Sequence, residues 1–101
     1  MSASQIALFL DMLSSERGAS PNTLAAYRHD LEDAAHRLAR QRSSLEGADA
    51  TALEALMRSL AADGLSAATA ARRLSALKRF YRFLLKEGVR GDDPTAGMKG
   101  P

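Results

Sequence analysis

Between Arg72 and Lys86 the chain sets six basic side chains, Arg72, Arg73, Lys78, Arg79, Arg82 and Lys86, and no acidic one. On a helix turning 100° per residue, Arg72, Ser75, Arg79, Arg82 and Lys86 fall within about 80° of arc. Arg73 and Lys78 flank the apolar core face instead. Guanidinium groups in a row suit one chemistry above others. They donate to phosphate oxygens or fork onto guanine O6 and N7, while Ser75 and the small Ala76 allow close approach to a nucleic-acid groove. A solvated helix face ordinarily mixes signs, because acid–base pairs four residues apart stabilise it. A stretch of fifteen residues without an acid therefore favours a polyanionic partner over bare solvent.

Other constellations are weaker. Asn22, Thr23, Ala26 and Arg28 follow Ser20-Pro21 at a helix start, where free amides attract phosphate. Taken alone, capping by Ser20 with Thr23 in the first turn is the simpler account. His29, Asp33 and His36 share a helical face. A metal would need a fourth ligand and a buried setting, so a solvent face is the better account and no metal is expected. Tyr27 and Tyr81 fall on apolar faces, as core residues with hydroxyls near the rim rather than nucleophiles. There is no Ser/His/Asp set, no phosphate-cradling glycine loop and no carboxylate pair in an apolar setting. No catalytic residue, cofactor or small-molecule ligand is expected.

Composition fixes what holds the stripe. The 101 residues include 20 Ala and 15 Leu but one Ile and one Val, which suits helices and not a sheet core. Cysteine is absent, so there is no disulfide frame, thiolate nucleophile or zinc ribbon. No apolar run approaches the roughly 20 residues of a membrane span, and Met1-Ser-Ala-Ser-Gln5 lacks the basic start of a signal peptide. A cytoplasmic protein with no membrane partner is expected. Charge is unevenly spread: residues 1–65 carry six basic and nine acidic side chains, residues 66–101 eight and three. The local basic stripe thus matters more to a polyanion than the formal net charge of +2.

Periodicity predicts an all-α chain of four main helices, at about 4–17, 21–41, 50–63 and 66–87. The first has Ile6, Phe9, Leu10 and Leu13 as its stripe, widened by Leu8 and Met12, with Gly18 as its C′ residue. Ser20 and Pro21 start the second. Leu24, Tyr27, Leu31, Ala34, Ala35 and Leu38 form its inner side, with His29, Asp33, His36, Arg37 and Arg40 outside. Asp49 caps the third, whose stripe is Leu53, Leu56, Met57 and Leu60, and Gly64 ends it. Ser66 caps the fourth, with Ala70, Leu74, Leu77, Tyr81, Leu84 and Leu85 inward and Gly88 as C′. Asp93-Pro94-Thr95-Ala96 is suited to cap one further turn, and Gly97 to Pro101 reads as linker. A chain stopping in such sequence suggests a fragment of something larger.

Three runs then carry a resemblance. Glu16 to Leu31 resembles the opening signature of the core-binding domain of tyrosine recombinases, the phage integrase family. Gly64 to Gly88, with its Ala71-Arg-Arg-Leu-Ser-Ala-Leu-Lys-Arg79 core, resembles that domain's last long helix. Asp92-Asp-Pro-Thr-Ala96 resembles the motif that closes it. The likeness is nearest the XerC/XerD subgroup, the Asp92-Asp93-Pro94 ending leaning to XerD, and spans residues 4–97. It implies a SAM-like orthogonal bundle of four helices, with 98–101 starting a linker to an absent C-terminal catalytic domain. It implies half of a clamp on a double-stranded DNA recombination site, with the second and fourth helices in the major groove. Thr23 and Arg28 fall on the family's helix-2 signature, and Arg72, Arg73, Ser75, Lys78 and Arg79 on its helix-4 motif. Lys78 replaces the family's usual Arg, keeping the charge but losing a fork. The family's attacking Tyr and its helpers belong to the catalytic domain, so this piece is expected to bind DNA and catalyse nothing. A second recombinase protomer is the implied protein partner.

The candidate DNA-binding set is therefore Arg72, Ser75, Arg79, Arg73, Lys78, Arg82, Thr23, Arg28 and Asn22. The competing account is a helical protein–protein interaction module without DNA binding, since SAM-like folds also pair with proteins.

Overall fold

The structure, a computed structural model, describes residues 2–16 and 18–99. Those residues form four helices and no strand: α1 Ser2–Ser14, α2 Pro21–Arg40, α3 Ala50–Ala62 and α4 Ala67–Lys86. The long helices α2 and α4 pack on each other and form the middle of the bundle. α1 and α3 each touch both of them and do not touch one another.

Capping sets most of the boundaries. Ser20 and Ser66 begin α2 and α4 in the same way: each hydroxyl accepts from the amide three residues on, Thr23 and Thr69, both at 3.1 Å. The same hydroxyls meet those of Thr23 and Thr69 at 3.0 Å. Asp49 Oδ1 accepts from Ala52 N at 2.8 Å to start α3. These bonds satisfy amides that have no partner within a helix. Gly64 and Gly88 take φ of +83° and +75° and let the chain turn off α3 and α4. The following amides close the ends, Leu65 N on Leu60 O and Val89 N on Leu84 O. α2 ends in the same geometry without a glycine: Arg42 has φ +59°, and Ser43 N reaches Leu38 O at 2.9 Å.

α1 departs from expectation. It ends at Ser14, three residues before the expected limit; Arg17 itself lies outside the described residues. The hydroxyls of Ser14 and Ser15 donate back to the Asp11 and Met12 carbonyls, each at 2.7 Å, and use acceptors that a further turn would need. Gly18 consequently sits in the connection to α2 and not at a helix end. α1 begins at Ser2, two residues earlier than expected; α2 and α3 start where expected, and the remaining limits differ by one residue, as cap residues were counted in.

Phe9 is the hub of the core. Its ring meets Phe80 edge-on at 5.5 Å, Phe83 at 5.5 Å and Tyr27 at 6.1 Å, which joins α1, α4 and α2. Ile6, Leu10 and Leu13 are buried as expected, but Leu8 is 54% exposed and Leu85 42%. In their place α4 buries Ala76, Phe80 and Phe83, so its inner face is wider than its leucines suggest. Ala76 is therefore packed inside and cannot face a groove. Tyr81 is fully buried, not at the rim; its hydroxyl donates to Leu45 O at 2.6 Å and fastens the α2–α3 loop to α4. Arg90 fastens the same loop, donating to Ala48 O at 2.6 Å with its guanidinium 5.3 Å over the Tyr81 ring. Asp93 caps the C-terminal turn as expected, accepting from Thr95 N and Oγ1. Met98, expected as linker, is half-buried against the core; Gly100 and Pro101 lie outside the described residues.

Arg42 holds a left-handed backbone that disfavours a side chain by roughly 1 kcal/mol. Arg42→Gly should raise unfolding free energy by about 0.5–1 kcal/mol, read from the denaturant midpoint at unchanged slope.

Candidate nucleic-acid interface

The stripe on α4 is exposed where expected. Arg72, Ser75, Arg82 and Lys86 face solvent, and Arg79 is partly covered. Three depressions follow it. The first lies between α2 and α4 and is lined by Thr23, Ala26, Tyr27, Asp30, Arg72 and Ser75. The second shares Thr23 and Tyr27 with it and adds Glu16 and Arg79. The third shares Glu16 and Arg79 and continues between α1 and α4 past Arg82 to Lys86. Thr23 and Ser75, from separate helices, thus flank one furrow with four cations along it. Asn22 and Arg28 are exposed on α2 but line none of these depressions. Arg28 faces Glu32 at 4.0 Å, both side chains more than half exposed, a pairing of little energetic weight.

The cations are not all free. α4 carries no acid of its own here, but α2 supplies two. Arg72 Nη1 donates to Asp30 Oδ2 at 2.9 Å. Arg73 lies between Asp30, 3.5 Å from its Nε, and Asp33, which its Nη1 bonds. Arg37 of α2 donates to Asp33 at 2.8 Å and to Asp63 beyond the end of α3 at 2.7 Å. Charges therefore alternate from Arg72 through Asp30, Arg73, Asp33 and Arg37 to Asp63, joining α4, α2 and α3. This corrects the placing of Asp33 and Arg37 on a solvent face: both point toward neighbouring helices. Asp33 gives its Oδ2 to two guanidiniums, those of Arg37 and Arg73. Among the described residues no group of three His, Asp or Glu side chains is placed to hold one.

Arg79 donates to Glu16 at 2.9 Å and to Tyr27 Oη at 3.2 Å. Those bonds, the one to Tyr27 first, raise its pKa above the ordinary value against the effect of burial. Lys78 turns the other way, its Nζ donating to Thr95 O at 2.8 Å, and holds the C-terminal turn onto α4. Arg73 and Lys78 are thus not brought to the open furrow with Arg72, Ser75 and Arg79. Arg82 and Lys86 have no ion-pair partner among the described residues. Lys86 lies on the stripe but was not singled out by the sequence motif; Glu87 and Glu16 line the same depression without pairing to it.

The comparisons with known proteins agree with this architecture. The profile of the family described as phage integrase, N-terminal SAM-like domain, matches residues 6–88, and the chain belongs to that family. Within it, the chain is 50% identical over 93 residues to the tyrosine recombinase XerD of Agrobacterium fabrum, covering 92% of this chain and 28% of that protein. It is 53% identical over 93 residues to XerD of Caulobacter vibrioides, covering 92% and 30%. With XerD of Rhizobium meliloti it shares 48% over 101 residues, covering 100% and 32%. The chain thus spans about three tenths of the length of these relatives. No solved structure matches it. No helix among the described residues is long and apolar enough to cross a membrane.

The charge chain gives a pH dependence. Burial alone would raise the Asp33 carboxyl, but the hydrogen bonds and charges of Arg37 and then Arg73 outweigh it and hold it below its ordinary 3.8. The unfolded chain therefore takes up that proton at higher pH than the folded one. The stabilisation is complete above the unfolded value and is lost as pH falls through the lower folded value. Asp33→Asn should lower the denaturant midpoint at neutral pH and flatten its decline below about pH 4. An undiminished acid decline in the variant would refute the assignment.

Proposed function

We propose that this chain is the DNA-binding clamp domain of a XerD-like site-specific tyrosine recombinase, acting in DNA integration, recombination or chromosome dimer resolution. The observation that carries this is the furrow: Thr23 of α2 and Ser75 of α4 flank it, and Arg72, Arg79, Arg82 and Lys86 follow it. A duplex laid along it would meet cations at intervals suited to phosphates, with the two hydroxyls near base edges. α2 and α4 would enter the major groove. Arg82 and Lys86 supply free charge, Arg72 and Arg79 oriented donors, and Arg73 and Lys78 brace the helix that carries them. Asn22 and Arg28 would meet the backbone at the furrow's edge. The partners would be a double-stranded recombination site and, in the longer protein, a second protomer in the cytoplasm. Strand cleavage and rejoining would belong to the remainder of that longer protein and not to Tyr81, buried with its hydroxyl donated to Leu45 O, or to Tyr27, which accepts from Arg79.

One feature favours the alternative of a protein-interaction module: Met57, Leu65, Leu74 and Met98 line an apolar groove between α3, the start of α4 and the C-terminal segment. Association through that groove would raise the sedimenting mass with concentration and would not respond to loss of the α4 charges.

Fluorescence anisotropy on a XerD-type half-site duplex and a scrambled duplex, each at two salt concentrations, separates the readings. Micromolar or weaker binding that collapses with salt is expected, with preference for the half-site. Arg82→Ala and Lys86→Ala should each lower the log–log salt slope by about 0.9. Arg72→Ala and Arg79→Ala should weaken binding and reduce the half-site preference. Unchanged affinity in all four would overturn the proposal.

A further inference from the structure

Asp30 lies at the floor of the furrow with its side chain 3% exposed. Its Oδ2 accepts from Arg72, while Oδ1 stands 3.5 Å from Arg73 Nε and has no hydrogen-bond partner. An acid buried beneath a surface meant for a polyanion is costly twice over, in desolvation and in repulsion. Its geometry accounts for it. Arg73, with its side chain 12% exposed, already sets a positive charge beside Asp30 from within the protein. Arg72 is therefore not needed to neutralise the carboxylate, and its side chain remains 52% exposed while tethered through one nitrogen.

We infer that Asp30 is a positioning residue for DNA recognition: its buried carboxylate anchors the Arg72 guanidinium at the furrow and leaves the other donors to grip the duplex. This rests on the DNA-binding reading above. A free arginine samples many rotamers and loses that freedom on binding. A rigid helical carboxylate removes most of that loss before DNA arrives. Arg82 and Lys86 carry charge without this orientation. Arg72, like Arg79 beside Glu16 and Tyr27, has its direction fixed, but of the two only Arg72 is held by a buried carboxylate. Direction is what a base edge or a bidentate phosphate contact requires.

Charge and positioning predict opposite signs for Asp30→Asn. Removing a negative charge beside DNA should tighten binding if charge alone matters. Loss of the anchor should instead weaken it on the order of threefold to tenfold, with an unchanged salt slope. In an Arg72→Ala background the same substitution should change affinity by less than about twofold, because Asp30 acts through Arg72. Tighter binding by Asp30→Asn, or equal weakening in both backgrounds, overturns the inference. Should Asp30→Asn fail to fold, the unaltered protein still decides. NMR relaxation at arginine Nε should show Arg72 ordered and Arg82 mobile without DNA, and equal mobility overturns the inference. If the unaltered protein shows no salt-sensitive duplex binding, the DNA reading fails and takes this inference with it. If it binds duplex and Arg72→Ala binds as well, the DNA reading stands and this inference alone is lost.

Discussion

The bundle's register depends on placing the carboxylates of α2 under the guanidiniums of α4. A contact surface of alanine and leucine tolerates sliding and repacking. A buried carboxylate does not, because a shifted register strands it without a cation. Asp30 and Asp33 meet Arg73 from one side and Arg37 secures Asp33 from the other. With Arg73 fixed between two acids, Arg72 stands at the open edge and Ser75 follows it onto the same face. Arg37 carries the constraint to Asp63, just beyond the end of α3. One alternating row thus sets three of the four helices relative to each other, and Phe9 attaches the fourth.

How much of this was legible depended on whether the cause was local. The Ser20, Asp49 and Ser66 caps and the Gly64 and Gly88 stops act over a few residues, and they lay open in the sequence. The early end of α1 was not, because Ser14 and Ser15 compete with the helix from inside it. The stripe of α4 was visible, including its lack of internal acid. The inference drawn from that lack was incomplete, since an i,i+4 rule sees one helix only and Asp30 and Asp33 stand about forty residues away. For the same reason the motif could name Arg73 and Lys78 without showing that one is spent on α2 and the other on the Thr95 carbonyl. Ala76 looked like a groove contact because a small residue on a helix has no preferred side until its neighbours are known.

Along α4 the cations change character. Near its start they are paired and oriented, Arg72 half-covered and Arg73 almost wholly so. In the middle Arg79 is shared between a surface acid and the Tyr27 hydroxyl. In the last turns Arg82 and Lys86 are unpaired. Lys86 also sits at the helix end where the aligned peptide dipoles favour a cation. Long-range attraction is therefore strongest at one end of the furrow and geometric definition at the other. Encounter and recognition can then be served by separate residues of a single helix.

The α2–α3 loop has its own consequence. Its carbonyls at Leu45 and Ala48 are satisfied by Tyr81 and Arg90, side chains 36 and 42 residues further on. Closing so long a segment carries an entropic cost that local helix formation does not. During synthesis those carbonyls are left to water until Tyr81 and Arg90 have emerged. The loop therefore reaches its final hydrogen bonds only once α4 and the segment after it are in place.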